Sequence, residues 1–393
     1  MSGVLGGVRV LDFGRYIAGP FCAAMLGDFG ADVIRIERRE GGEDRFLFPQ
    51  TAAGDGATFL QQNRNKRGMT LDLKHEGAGA VMRRLIGSAD VVVANLPQPT
   101  LVSLGLDYDS LAAIKPDIIL ASVSAFGPVG PYSDRVGFDG VGQSMSGAVY
   151  MSGSEAQPMK AYANWVDTTT ALLAAFGVMA ALRERDQTGR GQEVRNNLLK
   201  SALTVTNALL IEQQMSRPDR QPRGNRGHTG GPVDLVPTRD GWIMVQVLGD
   251  GLFRRWARLV GEPHWLDDPR FANDTVRGDN GALISERTAA WCADLTTAEA
   301  LDRLAEAKLP AGPVLKPQAA LEDAHVVATD LFQQVDYPGA ERSIPLVRPM
   351  ELTVSEPGIC RRPPLLGEHT DEVLGELGYA VGEIAELHES KVV

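Results

Sequence analysis

The opening of the chain constrains the fold more than any other stretch. Val8–Phe13 (VRVLDF) reads as a buried strand, Gly14–Pro20 as a turn, and Pro20 as the first residue of a helix running to about Phe29. Asp32–Glu37 (DVIRIE) is the next strand. Strand, helix and strand at this spacing require two parallel strands joined by a right-handed crossover. The alternation continues through a helix at Glu76–Ser88, a strand at Asp90–Ala94 (DVVVA), a helix at Leu104–Ile114 and a strand at Asp117–Val123 (DIILASV). The fold class is therefore α/β, with a Rossmann-like parallel sheet in a large domain. Glu37 ends the second strand, where a ribose-binding acid would stand, but the first turn, FGRYIAGP, lacks the G-x-G-x-x-G phosphate cradle. Nicotinamide dinucleotide binding is not expected.

Length and punctuation divide the rest. A chain of 393 residues has room for two or three domains. Ser216–Gly231 (SRPDRQPRGNRGHTGG) reads as a linker, placed at 216–232. Beyond it, Leu235–Thr238 and Trp242–Leu248 form a hairpin across Asp240-Gly241. Helices at Phe253–Val260, Ile284–Cys292 and Thr297–Ala307 complete a smaller α+β domain at 233–316. Residues 1–215 form the large domain, and a return segment, started by Ala311–Leu315 and covering 317–393, completes it. That segment has short strands within Phe332–Met350, a helix capped by Thr370, and His369 as a surface histidine.

The totals exclude several classes. A net charge of −11 argues against general nucleic-acid binding, though a local basic patch could hold an anionic ligand. Cys22, Cys292 and Cys360 are odd in number and far apart, which gives neither a disulfide framework nor a zinc site. The N-terminal residues lack a signal-peptide pattern, and no apolar run is read as long enough to span a bilayer. Cytoplasmic location without membrane association is the expectation.

The chemistry concentrates in Ala161–Leu199, where Asp167 precedes a long apolar helix. An acid followed by three threonines reads as a helix N-cap. The same carboxylate could act as a nucleophile, with the helix terminus holding its anion and offering N–H groups to a developing oxyanion. Arginines at 35, 38 and 39, the basic run Asn63–Lys74 and the Gly/Pro-rich loop Phe126–Gly137 cluster at strand ends, where α/β sheets take ligands. Leu248–Gly251 is a further glycine-bearing loop, read as an ordinary connection or a cover for a site.

These stretches resemble a known family. VLDFGRYIAGP…GDFGADVIRIERREGGEDR, NRNKRGMTLDLK, DIILASVSAFGPVGPYSDRVGFDGVGQSMSG, VDTTTALLAAFGVMAALRERDQTGRGQ and PLLGEHTDEVLGELG resemble the motifs of class III CoA transferases, nearly end to end. The resemblance implies a ring-like subunit in an interlocked homodimer. It implies Asp167 as nucleophile, forming aspartyl anhydride and aspartyl-CoA thioester intermediates between an acyl-CoA donor and a carboxylic acid acceptor. It calls for no metal and no cofactor beyond the coenzyme A thioester. Matching motifs place CoA against Ile17 and Ala18, Arg38, Leu71, Asp72, Leu73 and Lys74, Asn95, Leu96 and Pro97, and Val136, Gly137, Phe138 and Asp139. Ile17, Phe138, Asp139 and Ser103 depart from the pattern of formyl-CoA transferase by removing polar contacts, so formate and oxalate are not the expected acids. α-Methylacyl-CoA racemase is the nearest alternative, but its motif carries histidine where Phe138 stands, and phenylalanine transfers no proton. A non-catalytic acyl-CoA-binding protein is the alternative of another class, opposed by Asp167 itself.

Overall fold

A computed structural model describes residues 3–393; Met1 and Ser2, which open the segment read as lacking a leader, lie outside the described residues. Six strands form one parallel sheet: β1 (Arg9–Asp12), β2 (Asp32–Glu37), β3 (Lys66–Thr70), β4 (Val91–Ala94), β5 (Ile119–Ser124) and β6 (Gln192–Asn197). Their spatial order is β3-β2-β1-β4-β5-β6, so the direction of winding reverses between β1 and β4. Both faces are covered, which is why VL in β1, VI in β2, VVVA in β4 and ILA in β5 are consecutive apolar residues without alternation. Val10, Val33, Val91, Val93 and Ile119 pack on one face, with helices α1 (Ala18–Asp28) and, further along the chain, Trp165–Thr188. Leu11, Ile34, Val92 and Leu120 pack on the other, with the helices Ala78–Ser88 and Thr370–Glu376.

The chain divides into two compact units: Met1–Ser146, Tyr162–Ile211 and Thr329–Val393 form one, Gly147–Ala161 and Glu212–Ala328 the other. The second unit thus takes a small hairpin, Gly153–Ser154 with Gln157–Pro158, from the middle of the stretch assigned to the large domain. It also extends past residue 316 to Ala328. Ala311–Pro313 does not begin the return. It pairs antiparallel with Trp242–Gln246 as the third strand of this unit's sheet, beside Val233–Pro237.

Three further expectations are corrected. Trp165–Thr188 is, by length and composition, apolar enough to cross a bilayer, because Asp167 is its sole charge before Arg183. One side of it, including Val166, Ala171, Ala174 and Val178, is nevertheless part of the sheet core. His369 is buried and not a surface residue, its Nδ1 accepting the Gly68 N–H at 3.2 Å. Thr370 opens its helix from inside, and its hydroxyl accepts the Thr70 N–H at 3.1 Å instead of capping.

Buried ion pairs fix the sheet edge near the winding reversal. Lys66 Nζ, fully buried, donates to Asp12 at 2.7 Å, the Pro20 carbonyl at 2.7 Å and Asn63 Oδ1 at 2.9 Å. Arg35 pairs with Asp44 at 2.7 Å, and Arg45 pairs with Glu37 at 2.6 Å and Asp55 at 2.7 Å. Glu37 therefore has its carboxylate committed to an arginine.

Candidate active site

Ligands of open α/β sheets lie outside the carboxyl ends of the strands where winding reverses. A cleft of about 850 Å³ opens there. Its walls are the turn after β1 (Arg15, Tyr16 and Ala18), the segment from Asn95 after β4, the loop ending at Val136, Gly137 and Phe138 after β5, and Asn196 and Leu198 at the end of β6. A second hollow of about 410 Å³ is lined by Arg35, Arg38, Arg39, Asp72, Leu73 and Lys74. Arg15 and Leu96 line both.

The turn after β1 is held by side chains from three strand ends. Asp12 accepts the Gly14 N–H at 2.8 Å, and the Arg35 guanidinium donates to the Gly14 carbonyl. Asn95 brackets the next residue, its Oδ1 accepting the Arg15 N–H at 2.6 Å and its Nδ2 donating to the Arg15 carbonyl at 2.7 Å. Gly14 has no space for a side chain, since a Cβ would lie 2.7 Å from Asp12 Oδ1. Tyr16 then takes a left-handed φ of 60°, unusual for a tyrosine and maintained only where the surroundings enforce it. Its ring meets Phe138 edge-on, with centroids 5.3 Å apart. Asn95→Ala leaves the Arg15 N–H and carbonyl without these partners and is expected to loosen the turn, which hydrogen–deuterium exchange reads as faster exchange of the Arg15 amide.

Asp167 lines the cleft from the first turn of Trp165–Thr188. It does not cap that helix; Asn164 occupies the cap position, without a side-chain cap bond. The first backbone N–H groups have other partners. Trp165 donates to the Ala163 carbonyl at 2.9 Å, and Val166 and Asp167 donate to Asp139 Oδ1 at 2.8 and 3.1 Å. The helix terminus therefore neither holds the Asp167 anion nor leaves these groups for an oxyanion. Among the described residues the Asp167 carboxyl has no hydrogen bond and no ion pair. Burial, together with the negative charge of Asp139, pushes it up to about 7.

That shift has a stability consequence. The folded state keeps the Asp167 proton up to about pH 7, while an unfolded aspartate releases it near pH 4. Between those values the folded state binds more protons, so stability falls as pH rises. Asp167→Asn removes this loss. Solvent at the half-buried carboxyl screens part of the effect, and the variant is expected to gain about 1–2 kcal/mol over wild type at pH 8 and little at pH 4, measured by urea unfolding at both.

The other sequence-derived positions separate into three places. Ala18, Asn95, Leu96, Pro97, Val136, Gly137 and Phe138 line the cleft; Arg38, Asp72, Leu73 and Lys74 line the second hollow. Ile17, Leu71 and Asp139 line neither. Ile17 caps α1, Leu71 is core, and Asp139 is buried behind the cleft wall. The sequence reading missed Arg15, Tyr16 and Asn196. Only the sheet order reveals them, by bringing the ends of β1 and β6 to one edge as β4 and β5.

A free carboxyl over a cleft at the winding reversal suits an enzyme that works on its ligand through a carboxylate. The model of CoA-transferase family III matches residues 5–370. A succinyl-CoA–L-malate CoA-transferase beta subunit from Chloroflexus aurantiacus is 34% identical over 99% of this chain and 98% of its own. A succinate–glutarate CoA-transferase from Agrobacterium fabrum is 36% identical over 95% of each chain. The crystal structure of a CaiB/BaiF family protein from Brucella suis superposes with a TM-score of 0.83 at 30% identity, covering 96% of this chain and all of the other. The chain belongs to CoA-transferase family III and is an enzyme of that class.

Proposed function

We propose that this enzyme moves coenzyme A from a dicarboxylic acyl-CoA donor, such as succinyl-CoA, to a carboxylic acid acceptor through covalent intermediates on Asp167. The carrying observation is that carboxyl: cleft-facing, half-buried and free of protein partners. An Asp167 oxygen attacks the thioester carbonyl; the C–S bond breaks and the thiolate leaves with the electron pair, giving a mixed anhydride. The thiolate attacks the aspartyl carbonyl, and the donor acid departs, leaving an aspartyl-CoA thioester. The acceptor carboxylate attacks this thioester, and the returning thiolate takes the acceptor acyl group. Both named relatives act with succinyl or succinate groups, which supports the donor class.

Arg38 and Lys74 suit the phosphate-bearing end of CoA in the second hollow, and the Asn95–Pro97 and Val136–Phe138 walls suit its pantetheine arm. Phe138 offers no proton for racemisation. A homodimer is supported by the exposed apolar residues Leu172, Leu173 and Phe176 on the helix that carries Asp167. Incubation with succinyl-CoA followed by hydroxylamine tests the reading: a hydroxamate on Asp167, located by peptide mass spectrometry, is expected, and an unmodified Asp167 beside active turnover overturns it.

A further inference from the structure

Asp139 opens the helix Asp139–Met145, is 4% exposed, and stands outside the cleft wall. Both its oxygens are committed. Oδ1 accepts the N–H groups of Val166 and Asp167 at 2.8 and 3.1 Å, and Oδ2 accepts Gln143 Nε2 at 2.5 Å. The two helices touch without slack, since a Cβ on Gly142 would lie 2.9 Å from Val166 Cγ1. A carboxylate from one helix thus caps another, at a terminus whose own cap residue makes no side-chain bond.

We propose that Asp139 is a positioning residue for the transfer reaction: by capping the nucleophile's helix on the backbone N–H of Asp167 itself, it aims that carboxyl into the cleft and sets the charge against which it ionises. This rests on Asp167 being the nucleophile. The positive end of the helix dipole is satisfied by Asp139, so Asp167 gains nothing from it and keeps a more basic oxygen. Its proton affinity is raised by burial and by Asp139. The other charges facing it are paired or do not hold it up. Of the elements packed on this helix, α1 carries Asp28, which pairs with Arg64 at 2.6 Å; β6 carries Glu193 and Arg195, which pair with each other at 2.6 Å; β5 carries none. Arg15, paired with Glu43, and Asp134 and Arg135 line the cleft elsewhere.

Two substitutions separate the roles. Asp139→Asn keeps an acceptor oxygen for both N–H groups and removes the charge; Asp139→Ala removes both. The readouts are the pH profile of kcat and the pH dependence of Asp167 labelling by a water-soluble carbodiimide, which reacts with the protonated carboxyl. Wild type should show an acid limb near pH 7. Asp139→Asn should move the limb and the labelling profile down by about one pH unit at a nearly unchanged plateau. Asp139→Ala should lose about 10–100-fold in plateau kcat. Asn and wild-type profiles that coincide overturn the proposal, as does a wild-type plateau in a folded Ala variant. If the Ala variant does not fold, the Asn profiles decide. Labelling needs no substrate, so it reports on Asp139 independently. Failure of the nucleophile reading shows elsewhere, as absence of an acyl adduct on wild-type Asp167.

Discussion

Asp167→Ala is expected to lower CoA exchange by at least about 10³-fold while leaving fold and acyl-CoA binding in place. The large loss follows from removing the atom that forms the covalent bond. The intact fold follows from what the side chain does not do. It holds no protein group, so its deletion leaves no buried donor or acceptor unpaired, and alanine suits a helix interior. The walls that would hold CoA come from the ends of β1, β4 and β5 and are untouched. Initial exchange rates, paired with calorimetric binding of CoA, check both halves. Exchange within 10-fold of wild type would contradict the role given to Asp167.

Lys66→Met is expected to destabilise the larger unit by about 3–5 kcal/mol. Lys66 and Asp12 are both fully buried, and the substitution leaves the Asp12 carboxylate with the more distant Arg35, at 3.6 Å, as its remaining cationic partner among the described residues. The Pro20 carbonyl and Asn63 Oδ1 lose a donor as well. Asp12 also fixes the Gly14 N–H, so the turn carrying Arg15 and Tyr16 loosens with it. The double variant Asp12→Asn, Lys66→Met removes both charges and should recover part of the loss. Urea unfolding of the single and double variants measures this; additive losses would show that the two charges are not coupled.

The buried centre of the sheet was legible because a strand covered on both faces carries consecutive apolar residues, as Val91–Ala94 does within the stretch read as a strand. β6 was not. Gln192–Asn197 is a half-buried edge strand of polar residues, so QEVRNN offers no run to read. Ala311–Pro313 misled because a short exposed strand looks like a connection until its partner is known. In the site, Asp167 stood out through a family resemblance, and the structure shows it unpaired at a cleft. What the sequence concealed is how it is held. Its cap comes from another helix, and the Asn95 amide, expected against CoA, is spent on the Arg15 backbone. Long-range polar contacts of this kind leave no periodic signal.

Oxygen tracing tests the covalent route most directly. When an acceptor acid labelled with oxygen-18 in both carboxyl positions attacks the aspartyl thioester, one of its oxygens bridges the anhydride. It stays on Asp167 when the thiolate takes the acyl group. After turnover with unlabelled succinyl-CoA and labelled acceptor, the peptide containing Asp167 should carry heavy oxygen on that side chain alone. Turnover that leaves Asp167 unlabelled, or places the label on a different residue, would contradict it.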